Sequence, residues 1–181
     1  FGLTTRLVEK SLVALQPHAG ARRRFALPQP VREFIGAAVG DDGTADRRRH
    51  AAYFRQLAAD RLHERRLDDL SADTIETLRP DFTNFDVALA TVEAHDGAVA
   101  ALAMALDLFR YWYALGQLRY ASDRLLEALE APACDGAPVV AGRAADIAGG
   151  LCLWQVDFKR AIESFEIGLR HKLPVIDLLT P

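Results

Sequence analysis

The sequence predicts a mostly α-helical protein with one β-hairpin near its start. Three observations carry that prediction. Among 181 residues, Ala occurs 31 times and Arg 19 times, and both are strong helix formers. From Thr44 onward the apolar residues recur at the three- and four-residue spacings of helices. Before that point, two short apolar runs flank a Pro/Gly turn, the pattern of a hairpin.

Taken in order, Leu3, Leu7 and Val8 share one helical face over residues 3–10. The runs Ser11–Leu15 and Arg24–Leu27 enclose Pro17, His18, Ala19 and Gly20, which gives the hairpin. Pro30 suits the first turn of a new helix, where its missing N–H costs little. That helix carries Val31, Phe34, Ile35 and Ala38 on one side, and Gly40-Asp41-Asp42-Gly43 ends it. Residues 45–67 place Ala51, Phe54, Leu57, Ala58, Leu62 and Leu67 on one stripe. Ser71 starts the next helical region, and Pro80 interrupts it. Residues 81–95 follow, with Phe82, Phe85, Leu89 and Val92 together and a stop at His95-Asp96-Gly97.

Residues 98–115 carry only Asp107 and Arg110 as charges and are apolar nearly all round, so this helix has neighbours on at least two sides. Gly116-Gln117 is a tight turn. Residues 118–131 are amphipathic, with Leu118, Ala121, Leu125, Ala128 and Leu129 inward, and Pro132 follows. A loop with Gly136 and Pro138 leads to residues 139–155, where Arg143 and Asp146 are the only charges before the turn at Val156-Asp157. Residues 158–171 turn Phe158, Ala161, Ile162, Phe165 and Leu169 inward, and Pro174 follows as a break, with Val175-Ile176 starting another helix.

The last four helices are an internal repeat. Ala121 and Ala161 are 40 positions apart, and Leu125 with Phe165, Ala128 with Gly168 and Leu129 with Leu169 keep the same offset. A helix–turn–helix period near 34 residues, extended by the loop at 133–138, with small residues where helices cross, is the tetratricopeptide pattern. The clear copies span about 98–132 and 139–174, within a helical-repeat domain of 45–181; residues 45–95 read as a third, divergent pair. Phe109 and Val156 depart from the pattern at positions where Gly is usual. Residues 1–40, read as helix, hairpin and helix, make the C-terminal part of a winged-helix unit. The chain opens inside an apolar pattern without a Met, as a piece of a longer protein does.

Charge and cysteine content narrow the function. The net charge is −3, with the basic excess in residues 1–70 and the acidic excess after them. The triplet Arg22, Arg23, Arg24 is the candidate nucleic-acid contact, although it lacks the interleaved aromatics of single-strand binders. Cys134 and Cys152 form no CxxC, which points to a reducing, cytoplasmic setting. No stretch is apolar enough to span a bilayer. No HExxH, GxxxxGK, GxGxxG or GxSxG occurs, so the sequence offers no metal, cofactor or catalytic site. Asp41, Asp42 and Asp46 around Gly43 resemble a calcium loop, but its bidentate Glu would fall on Ala52.

The ordered strings Leu7-Val8-Glu9-Lys10-Ser11-Leu12-Val13, Arg24-Phe25-Ala26-Leu27, Val31-Arg32-Glu33-Phe34, Arg49-His50-Ala51-Ala52-Tyr53-Phe54, Asp81-Phe82-Thr83-Asn84-Phe85 and Arg124-Leu125-Leu126-Glu127-Ala128-Leu129 resemble a bacterial family. These are large transcriptional regulators of the LuxR and antibiotic-regulatory types with a signal-transduction (NB-ARC/STAND-like) ATPase core. Pro28-Gln29-Pro30 departs from that family's usual glutamate-threonine. The resemblance implies a winged helix acting as an internal clamp, helical repeats that sense a signal or partner, and ATPase and DNA-reading modules outside this chain. The expected function is therefore a non-catalytic regulatory region that binds protein, with DNA reached only through other modules. By repeat register Arg110, Tyr113, Arg143, Asp146 and Trp154 line the concave groove where a partner docks. The alternatives are a DNA-contacting winged-helix module and a small-ligand sensor in the helical groove.

Overall fold

The computed structural model describes residues 2–16, 24–39, 43–63 and 70–177. It is mostly helical with one two-stranded antiparallel hairpin, the predicted fold class. The chain divides into two compact units, residues 1–46 and 47–181.

In the first unit, α1 (Gly2–Glu9) leads into β1 (Ala14–Gln16), β2 (Arg24–Ala26) and α2 (Gln29–Val39). The strands pair in the register Ala14↔Ala26, Leu15↔Phe25 and Gln16↔Arg24. Ser11 closes α1 in the left-handed region, at φ 55°. This unit has little core of its own: Leu3, Leu15, Phe25 and Phe34 are all exposed. The turn at Pro17–Gly20, the helix stop at Gly40–Asp42 and the stripe position Leu67 lie outside the described residues.

The second unit is helical throughout. It comprises α3 (Thr44–Leu62, whose first turn crosses the unit boundary), α4 (Ala72–Leu78), α5 (Phe82–Asp96), α6 (Ala98–Ala114), α7 (Leu118–Leu129), α8 (Pro138–Trp154) and α9 (Phe158–Asp177). Ser71 caps α4, its hydroxyl accepting from the Thr74 N–H at 3.1 Å. Pro80 sits in one turn of 3₁₀ helix, Arg79–Asp81, that joins α4 to α5. The divergent stretch 45–95 is thus three helical pieces rather than a simple pair.

From α5 on, each helix packs chiefly against the next in sequence. The short turns force α6/α7 and α8/α9 into antiparallel hairpins. The stripe Ala51, Phe54, Ala58 and Leu62 is buried as its spacing predicts. In α6, Leu102, Leu108, Tyr111 and Trp112 are fully buried on different sides, matching a helix with several neighbours. The Tyr111 hydroxyl donates to the Leu78 carbonyl at 2.9 Å, tying α6 to α4.

The two hairpin turns share one geometry. The Gly116 N–H donates to the Tyr113 carbonyl and the Gln117 N–H to the Trp112 carbonyl. Forty positions later, the Val156 N–H donates to Leu153 and the Asp157 N–H to Cys152. Both are Schellman caps, which need a left-handed residue at their centre. Gly116 has φ 73° without strain; Val156 adopts φ 61° at a cost of roughly 1–2 kcal/mol for a β-branched residue. Val156 is 69% exposed, so it regains little of that by burial. Val156→Gly is therefore expected to stabilise the second unit by about 0.5–1 kcal/mol after the added unfolded-state entropy of glycine. A rise in the urea midpoint at unchanged slope checks this; a fall contradicts it.

Two expectations need correction. Pro174 does not end the last helix, because α9 continues through it to Asp177. Pro174 removes one backbone N–H donor there, and only three helical residues follow it. Nor does α9 turn its whole apolar stripe inward. Ala161, Ser164 and Gly168 are buried against α8, while Phe158, Ile162, Phe165 and Leu169 are exposed. The stripe is real, but among the described residues only Phe165 meets a helix, its ring lying against Gly149 of α8.

Candidate functional site

The candidate face is carried by α6 and α8, the first helices of the two hairpins. Tyr113 sits in the last turn of α6 and Trp154 at the end of α8, at positions set by the helix ends just described. Their rings meet edge-on, with centroids 6.5 Å apart at 77°. Tyr113 is half-buried, and Trp154 is 71% exposed. A tryptophan so exposed, yet held by an aromatic neighbour, presents a large apolar surface with little freedom left to lose.

Arg110 lies one turn before Tyr113, half-buried, with its guanidinium 4.6 Å from the centre of the Phe109 ring. Phe109 thus occupies the position of the expected glycine as a platform for the neighbouring cation. Arg143 is half-buried on α8. Asp146 departs from this face: its carboxylate pairs with Lys172 of α9 and lies over Gly168. It belongs to the α8–α9 crossing and not to the groove. Of the basic triplet, Arg24 opens β2 half-buried, while Arg22 and Arg23 lie outside the described residues.

The structure also assembles polar residues that periodicity did not single out. A groove of about 710 Å³ runs between α3, α5 and α6. Along it His63 pairs with Asp107, Arg55 with Asp96 at 3.2 Å, and Arg48 approaches His95 at 3.4 Å. These partners lie more than forty residues apart in sequence. The one available signal was Asp107, a charge on an otherwise apolar helix. A second groove, about 790 Å³, lies between α7 and α9. Its Asp123 pairs with Arg160, linking the two second helices and holding the Arg160 guanidinium above its usual pKa.

The cysteines and the half-buried Tyr120 are structural in character. Burial pushes both the Cys134 and Cys152 thiols up, away from the thiolate form. The Cys134 thiol donates to the Ala128 carbonyl at 3.3 Å. Tyr120 donates to Asp86, and burial together with that bond raises its hydroxyl well above the ordinary phenol range. Among the described residues, no three His, Cys, Asp or Glu side chains converge to hold a metal ion. No described helix is long and apolar enough to cross a membrane.

Compared with protein-family models, curated proteins and solved structures, the chain matches none.

Proposed function

We propose that this chain is a non-catalytic protein-docking region of a bacterial transcriptional regulator of the signal-transduction ATPase type. In this reading the α6–α9 array binds a protein segment and passes that event to ATPase and DNA-binding modules elsewhere in the parent. The observation that carries it is the Tyr113–Trp154 pair beside Arg110 on one face of the array. Trp, Tyr and Arg are the side chains that dominate protein-interface energetics. The Arg55–Asp96 and Arg160–Asp123 pairs in the two grooves suit a surface that reads a partner, since these cations already have an anion to exchange. The first unit adds support. Its exposed Leu3, Leu15, Phe25 and Phe34 leave helix and hairpin faces that a neighbouring module would cover, as an internal clamp requires.

The test compares proteins retained from a bacterial lysate by the wild-type chain, Trp154→Ala and Arg110→Ala. At least one retained protein is expected to fall about tenfold or more with both variants, the effect of removing an interface anchor. Thermal unfolding of Trp154→Ala stays unchanged, because the residue is mostly exposed. Equal retention by all three chains overturns the reading.

A further inference from the structure

The outer face of α9 is built to receive a helix. Phe158, Ile162, Phe165 and Leu169 occupy the positions that Leu118, Ser122, Leu125 and Leu129 occupy in α7, forty residues earlier. In α7 those positions are buried or half-buried, and α8 covers them: Gln155 at its end donates to the Ser122 hydroxyl at 3.3 Å. In α9 three of the same positions are open, with Phe158 60%, Ile162 59% and Leu169 55% exposed, while the Phe165 ring leans on Gly149 of α8 and leaves its outer part uncovered. They are also more apolar than their counterparts, Ile standing for Ser and Phe for Leu. A face meant for solvent would change in the opposite direction.

The geometry points to a second copy of this chain as the occupant, with the two α9 helices packed antiparallel. Steps of four, three and four from Phe158 to Leu169 are the spacing of a coiled-coil seam. An antiparallel pairing then sets Ile162 against the partner's Phe165 and Phe158 against the partner's Leu169, so every layer pairs one aromatic with one aliphatic side chain. The same register places Lys159 across from the partner's Glu166, twice by symmetry. Lys159 is available for this, since its own contact to Glu163 is long, 3.9 Å, and the lysine is largely exposed. The small residues Ala161, Ser164 and Gly168 stay committed to α8, so dimerisation leaves the hairpin intact.

Sedimentation equilibrium of the full chain tests this. The expected mass is twice the 19.9 kDa of one chain, returning to the single-chain value with Ile162→Glu while the circular dichroism is unchanged. Lys159→Glu and Glu166→Lys each weaken association about tenfold, and the two together restore it, as expected of one coupled charge pair. A wild-type chain that stays monomeric at about 100 µM overturns the proposal. So does a dimer that ignores Ile162→Glu, or one that the double charge exchange fails to restore. The Trp154 and Arg110 variants should dimerise normally, which separates this result from the docking test above.

Discussion

Replacing Trp112 with Ala is expected to destabilise the second unit by about 3–5 kcal/mol. Trp112 is fully buried in α6, and its ring meets that of Tyr120 edge-on at a centroid distance of 5.3 Å. It ends a chain of aromatic contacts that runs through Tyr120, Phe82, Tyr111 and Phe85 to Phe54, crossing α7, α6, α5 and α3. Truncation at that end leaves a cavity bounded by helices whose backbones are fixed by their other neighbours, so collapse recovers little. Domains of this size are stable by only about 5–15 kcal/mol, so the variant should be marginal. Trp112→Phe should cost far less, about 1–2 kcal/mol. The indole N–H is buried and finds no acceptor among the described residues, so Phe removes an unsatisfied donor along with some volume. Urea unfolding followed by circular dichroism measures both variants. The account fails if Ala costs less than about 2 kcal/mol, or if Phe is as damaging as Ala.

The repeat was legible because close packing limits residue choice at helix crossings. Ala121 and Ala161, read as equivalent from their offset, are both buried. Gly116 and Val156 were readable as one turn, and the structure gives them one hydrogen-bond pattern with one strained residue. Another pair of substitutions becomes intelligible only in three dimensions. A Cβ on Gly149 would lie 2.6 Å from the Phe165 ring, so that glycine makes room for the phenyl group. In the first hairpin the corresponding residues are Phe109 and Leu125, which puts the larger side chain of the pair on the first helix instead.

Periodicity states which residues share a face, and it says nothing about whether a neighbour covers that face. Hence Phe158, Ile162 and Leu169 were grouped correctly and placed inside wrongly, while Phe165 turns only part of its ring inward, onto Gly149. The polar contacts were less legible still. His63 meets Asp107 across 44 positions, and no local pattern encodes that meeting. Arg110, Tyr113 and Trp154 stood out because they are polar or amphipathic groups on apolar helices, and the structure sets Tyr113 against Trp154. Asp146 stood out for the same reason, but its charge is met by Lys172 from the following helix.

That same crossing sets the second large effect, expected for Gly168→Leu, which should lose roughly 3 kcal/mol through overpacking. Gly168 is buried where α9 crosses α8. A Cβ there would lie 2.8 Å from the Asp146 Oδ1 and 3.5 Å from both the Ala145 Cβ and the Gly142 carbonyl oxygen. One methyl group can be accepted if the Asp146 carboxylate swings aside, which weakens its pairing with Lys172. Both partners of that pair are more than 40% exposed, so the loss is below about 1 kcal/mol. Ala also gains about 1 kcal/mol of helix propensity over Gly. Gly168→Ala should therefore fall within about 1 kcal/mol of wild type, as the alanine at the equivalent position 128 suggests. Leucine adds three more carbons with the Gly142 backbone in their way, and a backbone cannot rotate clear as a carboxylate can. The helices must separate along the seam of Gly142, Ala145 and Gly149. Comparing the two variants by urea unfolding isolates this effect: near-neutral Ala with damaging Leu marks a crossing limited by backbone contact. Equal losses would instead place the cost in the Asp146–Lys172 pair.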